Sequence, residues 1–367
     1  MRAIEVLEQG IADGTQIGAQ LAVSRGGVPV VDVALGEARA GVPMTTDTMM
    51  IWFSMTKAVT SVAVAQQWER GALDVDDPVA KYIPEFAANG KADTTLRHLL
   101  THTAGLPWAD GILESWPWRE SRAENLARIY AATPDYPAGT RAGYHAGAGM
   151  SVLGAVVELV SGTRFDEYVR AGIFEPLEMH DCWIGMPPDR YDAYGDRVGI
   201  MHATNVSPPT PVKGVDARRQ TSVPVPGGNG RGPMRELVHL YEMLVAGGAR
   251  NGVRLLTPQT VSAISARHRV GMVDETFGVV LDWGLGFAID TYITGSHSSP
   301  RAFGHGGHLS SAAICDPEHG LAMAVVCNGM PGGAKHHARM DAIATAVYED
   351  LGITAPTREK VYPVNSL

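Results

Sequence analysis

The segment Phe53-Ser54-Met55-Thr56-Lys57-Ala58 carries the sharpest chemical feature of the chain. Ser54 and Lys57 stand three apart at the start of an apolar run. A helix there puts both on one face, with Cβ atoms roughly 5–6 Å apart. A serine hydroxyl is a weak nucleophile and needs an adjacent base. Lysine can serve only when burial or neighbouring cations lower its pKa from about 10.4 towards ~7–8. Trp52, Phe53 and Val59 provide apolar surroundings for that desolvation. At a helix N-terminus the serine also gains a backbone N–H beside it and a dipole that favours developing negative charge. Taken alone the pattern is common, and its ordinary reading is an N-cap serine followed by a solvated lysine.

Two distant segments change that balance. Gly143-Tyr144-His145-Ala146-Gly147-Ala148 places a tyrosine just ahead of an apolar helix. Phe303-Gly304-His305-Gly306-Gly307-His308 leads into a strand. By itself Tyr144 reads as an aromatic packed over the core at a helix start, and His305 as a turn histidine bonded to backbone. In combination, the order S-x-x-K, Tyr, His-Gly-Gly resembles the three motifs of the serine β-lactamase and penicillin-recognising superfamily. The resemblance is greatest to its class C β-lactamase-like esterases, the family VIII type. Thr95-Leu96-Arg97-His98-Leu99-Leu100-Thr101-His102-Thr103-Ala104-Gly105-Leu106, Trp283-Gly284-Leu285-Gly286-Phe287 and Asp316-Pro317-Glu318-His319-Gly320 extend it, from about residue 10 to 350.

The resemblance implies a role for each matching position. Ser54 would be the acylated nucleophile, Lys57 its base, and Tyr144 the proton carrier for leaving group and incoming water. The backbone N–H groups of Ser54 and His308 would form the oxyanion hole, with His305, Gly306 and Gly307 facing substrate. Two positions depart from the lactamase pattern. Ala146 stands where those enzymes carry an asparagine that grips an acylamino side chain. His305 stands in place of their lysine, and a histidine with an ordinary pKa near ~6.5 supplies no permanent cation for a substrate carboxylate. Both departures suit a neutral ester better than a penicillin.

These residues lie far apart in the chain, so the fold must bring them together. The chain has 367 residues, of which 45% are hydrophobic and 19% charged, which excludes a disordered state as the main one. The charge balance is 30 − 39 = −9 with no basic cluster, which argues against nucleic-acid or anionic-membrane partners. Three widely spaced cysteines, Cys182, Cys315 and Cys327, exclude a disulfide scaffold and suit a reducing compartment. The N-terminus has no apolar signal region, and no apolar run reaches the ~20 residues that cross a bilayer, so a cytoplasmic protein is expected.

Apolar periodicity predicts helices over 3–12, 56–71, 95–103, 148–161, 165–173, 234–246 and around 340–351. It predicts a hairpin of 16–23 with 28–35, and strands over 283–289, 310–315 and 321–327. Residues 106–143 and 189–226 read as largely irregular. Strands near both ends with helices between them predict an α+β fold, an α/β sandwich whose antiparallel sheet is built from both termini and flanked by helices. Residues 1–72 and 235–367 would form a discontinuous sheet domain. Residues 73–234 would form an inserted, mainly helical domain, with the active site between the two.

The remaining motifs are weak. There is no G-x-S-x-G elbow, and Gly227-Gly228-Asn229-Gly230-Arg231-Gly232 lacks a P-loop lysine. The resemblance implies that it is an active-site-rim loop leading to the helix at Met234. No H-E-x-x-H occurs and His336-His337 reads as a solvated pair, so neither a metal nor another cofactor is expected. Trp108, with Trp116 and Trp118, either lines an apolar substrate pocket or packs its loop onto the helices. The expected function is hydrolysis of small carboxylic esters through an acyl-Ser54 intermediate, with weak or no β-lactamase activity. Alternatives are transfer of the acyl group to an amine or alcohol acceptor, and a non-catalytic protein of the same fold.

Overall fold

The computed structural model describes residues 1–106 and 121–365. Trp108, Trp116 and Trp118 lie outside the described residues. A seven-stranded antiparallel sheet contains β1 (Gly18–Arg25), β2 (Val28–Arg39), β3 (Val42–Pro43), β4 (Ala288–Ile289), β5 (Phe303–Gly307), β6 (Ser311–Asp316) and β7 (Leu321–Cys327). Its spatial order is β4-β5-β6-β7-β1-β2-β3. The β1–β2 turn uses Gly26 and Gly27 at φ +57° and +79°, a region glycine enters without a Cβ clash. β1 pairs along its other edge with β7, in register from Ala19–Cys327 to Arg25–Leu321. The two ends of the chain thus share one sheet, and the α+β expectation holds.

Five helices matter for the site: α1 (Arg2–Ala12), α2 (Thr56–Glu69), α3 (Ala148–Ser161), α4 (Met234–Val245) and α5 (Gly333–Asp350). The period-2 alternation of a strand divides β7 between two cores. Leu321, Met323, Val325 and Cys327 pack with Ala3 and Leu7 of α1 and with Ile343 and Val347 of α5. Ala322, Ala324 and Val326 face the opposite core, with Leu237 and Tyr241 of α4. Both faces are buried, which is why β7 reads as an unbroken apolar run. Each fully buried Leu, Val or Met contributes about 1.5–3 kcal/mol. The second core continues through Val59 and Val62 of α2 into Val152, Leu153 and Val156 of α3.

Several expected elements differ. Trp283 to Ile289 forms a strand only at Ala288–Ile289. Gly286 takes φ +87°, and its N–H donates to the Leu100 carbonyl. A Cβ there would meet Ser61 Oγ at 1.8 Å, so the bend lets this chain lie directly on α2. Within the segment read as irregular, Arg122–Ala131 is a helix, started by a capping box between Ser121 and Glu124. The last helix begins at Gly333, seven residues before the expected start. His336 and His337 are buried in its first turns rather than solvated.

Candidate active site

The strand Met50–Phe53 ends one residue before Ser54 and pairs with Gly230–Gly232. Gly230 is needed for that pairing, because a Cβ would meet Trp52 Cε3 at 2.4 Å. Phe53 then takes φ +49°, a costly conformation for a bulky residue, and swings the chain into α2. The N-cap of α2 is Met55, so Ser54 is not the capping serine of the ordinary reading. Its hydroxyl lies instead 2.9 Å from Lys57 Nζ.

Lys57 is completely buried, and its Nζ donates to the carbonyls of Ala146 (2.7 Å) and Gly227 (2.8 Å). Two of the three tetrahedral positions around Nζ are therefore taken by groups that can only accept. A neutral amine held this way keeps both hydrogens on the carbonyls and turns its lone pair to Ser54 Oγ. That is the orientation a base needs. The glycine-rich segment read as a rim loop thus supplies a lysine ligand.

Tyr144 is buried with its ring centroid 5.0 Å from Lys57 Nζ. His102, Phe277 and Trp283 surround it, with centroids at 4.6, 5.0 and 6.0 Å. Its backbone N–H donates to Asp274 Oδ1 (3.1 Å), which also accepts from the N–H groups of Thr276 and Phe277. Asp274 Oδ2 accepts from Arg269 (3.0 Å) in an ion pair that is essentially fully buried, and the Arg269 guanidinium lies over the Trp283 ring. Sequence reasoning missed this clamp because neither residue belongs to a motif.

β5 brings in the third motif. A Cβ on Gly307 would stand 2.4 Å from the Trp52 carbonyl and 2.1 Å from Ser311 Oγ. The glycine thus lets the chain leading to His308 lie against the chain leading to Ser54. The rings of Phe53 and His308 meet edge-on at 5.8 Å, and Leu309 next to His308 also takes a positive φ, +48°. His305 Nδ1 lies 2.7 Å from the Gly306 carbonyl, which can only accept. Nδ1 therefore carries the proton, and the buried Nε2 is left as an acceptor without a partner among the described residues.

Ser54, Tyr144, His305, Gly306, Gly307 and His308 line one cavity of about 110 Å³. Ala146 reaches the site through its carbonyl. His336 and His337 also line the cavity, and sequence reasoning had placed them elsewhere. Among the described residues, no Asp, Glu, Lys or Arg lines it. Burial pushes His305 down to about 3, and it holds His308 near 4 and His336 well below the ordinary range. The walls are thus uncharged at neutral pH. Behind them His102 and His145 are wholly buried; the His145 imidazole is pushed to about 3, and the His145 backbone N–H donates to His102 Nδ1 (3.1 Å). The signal for His102 lay in the Thr95–Leu106 stretch and that for His145 beside Tyr144, stretches whose resemblance was visible while the role of these two histidines was not. Among the described residues no cluster could hold a metal ion.

These histidines carry a stability consequence. Each has a folded pKa below its unfolded value near 6.5, so below pH 6.5 the unfolded chain takes up protons that the folded chain refuses. Stability is full above that pH and falls as pH drops towards 3–4, by about 1.4 kcal/mol per unit for each such histidine. Thermal melts at pH 7 and 5 should show Tm lower at pH 5 by several degrees; an unchanged Tm would mean the rings are hydrated.

The fold and this site define an enzyme with the penicillin-binding-protein-like architecture. The chain belongs to the beta-lactamase family, whose model matches residues 3–348. It is 30% identical over 343 residues to the esterase/beta-lactamase LipL of Mycobacterium tuberculosis, covering 85% of this chain and 77% of that one. Esterase EstB of Burkholderia gladioli is 29% identical over 349 residues, 84% of this chain and 83% of its own. The crystal structure of a family VIII carboxylesterase superimposes with a TM-score of 0.80 at 27% identity, covering 94% of this chain and 96% of that one.

Proposed function

We propose that the protein hydrolyses uncharged carboxylic esters through an acyl-Ser54 intermediate. The observation that carries this reading is the Ser54–Lys57 contact at a cavity whose described walls bear no charge. Ser54 Oγ attacks the ester carbonyl as its proton passes to neutral Lys57. The N–H groups of Ser54 and His308 receive the oxyanion. Tyr144 gives a proton to the departing alcohol and is reprotonated from Lys57. Water then attacks the acyl-enzyme through the same groups in reverse and releases the acid. The active site lies between the sheet unit (1–72 with 235–367), which brings Ser54, Lys57 and His305 to His308, and the inserted unit (73–234), which brings Tyr144 and the carbonyls of Ala146 and Gly227.

A substrate carboxylate entering this cavity loses its hydration and meets no cation on the described walls, a penalty of several kcal/mol. β-Lactams and peptide carboxylates are therefore poor substrates. Among the described residues no helix is long and apolar enough to cross a membrane, and the three cysteines are buried free thiols. These thiols suit the cytoplasm.

Incubation with p-nitrophenyl butyrate or a fluorophosphonate should leave one acyl or phosphonyl adduct on Ser54, seen by mass spectrometry. Turnover of nitrocefin should lie orders of magnitude below that of the ester. His305→Lys should shift the balance towards carboxylate-bearing substrates while ester turnover falls less than for Lys57→Ala. A folded protein without adduct on Ser54 would favour the non-catalytic alternative. Transfer to an alcohol uses the same intermediate, and the aromatic walls beside Tyr144 favour that second reading over an amine acceptor. Butyl ester formed in the presence of 1-butanol measures it, and purely hydrolytic partitioning removes it.

A further inference from the structure

Residues 358–365 follow α5 without regular secondary structure, yet they are tied down at several points. The Lys360 ammonium is buried and donates to Asp290 Oδ1 (2.5 Å), Ser298 Oγ (2.9 Å) and Thr294 Oγ1 (3.3 Å). Arg358 shares Asp290, and its backbone N–H donates to the Ser296 carbonyl. The Tyr362 hydroxyl donates to Asp341 (2.6 Å), and its ring stacks on His337. The N–H groups of Val364 and Asn365 both donate to the Phe277 carbonyl (2.9 and 3.2 Å). Between these anchors Pro363 and Asn365 line the same cavity as Ser54 and Tyr144.

The position of Tyr144 decides which part of a substrate this segment faces. A group that protonates the departing alcohol must touch the alcohol oxygen, so the carbon attached to that oxygen lies beside the phenol. Phe277 and Trp283 flank the phenol and line the cavity, and the Phe277 carbonyl holds the end of the segment, at Val364 and Asn365. Resting on the roles proposed above for Ser54 and Tyr144, we infer that residues 358–365 form the outer wall of the alcohol site, and that this wall selects a small uncharged alcohol with an aromatic or branched apolar body. A phenyl ring is a body of the size such a cavity accommodates.

The test uses the full chain with Lys360→Met and Asn365→Trp. The first removes the anchor while Asp290 keeps Arg358; the second fills the wall from an exposed position. Hydrolysis of benzyl and ethyl butyrate is followed by pH-stat, and p-nitrophenyl octanoate and acetate vary the acyl chain against a constant alcohol. Both variants should lower the benzyl-to-ethyl ratio of kcat/KM at least fivefold, while the octanoate-to-acetate ratio moves less than twofold. Binding of benzyl alcohol alone, by titration calorimetry, should weaken at least fivefold in Asn365→Trp. That readout needs no turnover, so it decides the wall even if Ser54 takes no adduct, an outcome that would sink the proposed function instead. A benzyl-to-ethyl ratio and benzyl alcohol affinity within twofold of the unmodified chain in Asn365→Trp, or an acyl ratio that moves more than the alcohol ratio, overturns the inference.

Discussion

Lys57→Ala is expected to lower kcat/KM for p-nitrophenyl butyrate by about 10²–10⁴-fold, the usual worth of a positioned acid–base group. The physical reason is the environment of Nζ. It is sealed from water and held by the Ala146 and Gly227 carbonyls, with Ser54 Oγ 2.9 Å away. Lys57→Arg should be no better, because a guanidinium with a pKa above ~12 cannot accept the serine proton. Tyr144→Phe keeps the ring among His102, Phe277 and Trp283 and removes only the hydroxyl, and a loss of similar size is expected. The rate of fluorophosphonate labelling at Ser54 should fall in parallel for Lys57→Ala, since labelling needs the same deprotonation. A variant of either residue that stays within tenfold of the unmodified chain would remove it from proton transfer.

The second large effect belongs to a residue with no side chain. Gly307→Ala would set a methyl group 2.4 Å from the Trp52 carbonyl, a backbone atom that cannot rotate away as Ser311 can. Ordinary contact needs roughly an ångström more, so β5 must withdraw from the strand that leads to Ser54. The N–H of His308 moves with it, away from the oxyanion position proposed above. Loss of one such donor costs about 10²–10³ in kcat, and KM should change far less. Gly306→Ala is the internal comparison, because its Cβ would meet nothing nearer than 3.6 Å. It should cost at most about tenfold. Equal losses at the two glycines would mean that close approach to Trp52 is not what Gly307 provides.

Much of the site was legible because part of it is local. The i, i+3 spacing of Ser54 and Lys57 at a helix start places hydroxyl and amine within reach whatever the rest of the chain does. The hairpin at Gly26-Gly27, the apolar run of β7 and the helices α2, α3 and α4 follow equally from short-range pattern. Other features left a signal that composition alone obscured. The Ser121–Glu124 capping box marks a helix inside a stretch rich in loop residues. The buried start of α5 was hidden because His336 and His337 are polar residue types that ordinarily face water.

The sequence by itself determined the local chemistry: a serine and a lysine on one helical face, a glycine pair where strands approach closely, and alternating apolar residues that commit both ends to one sheet. Tertiary structure alone decided what makes that chemistry usable. The second and third partners of Lys57 are backbone carbonyls at Ala146 and Gly227, which every residue type possesses and no motif can announce. The same holds for the Arg269–Asp274 clamp on Tyr144 and for the anchored wall at residues 358–365. Such contacts join segments up to 170 residues apart, and their energies depend on burial, which exists only once the chain has folded.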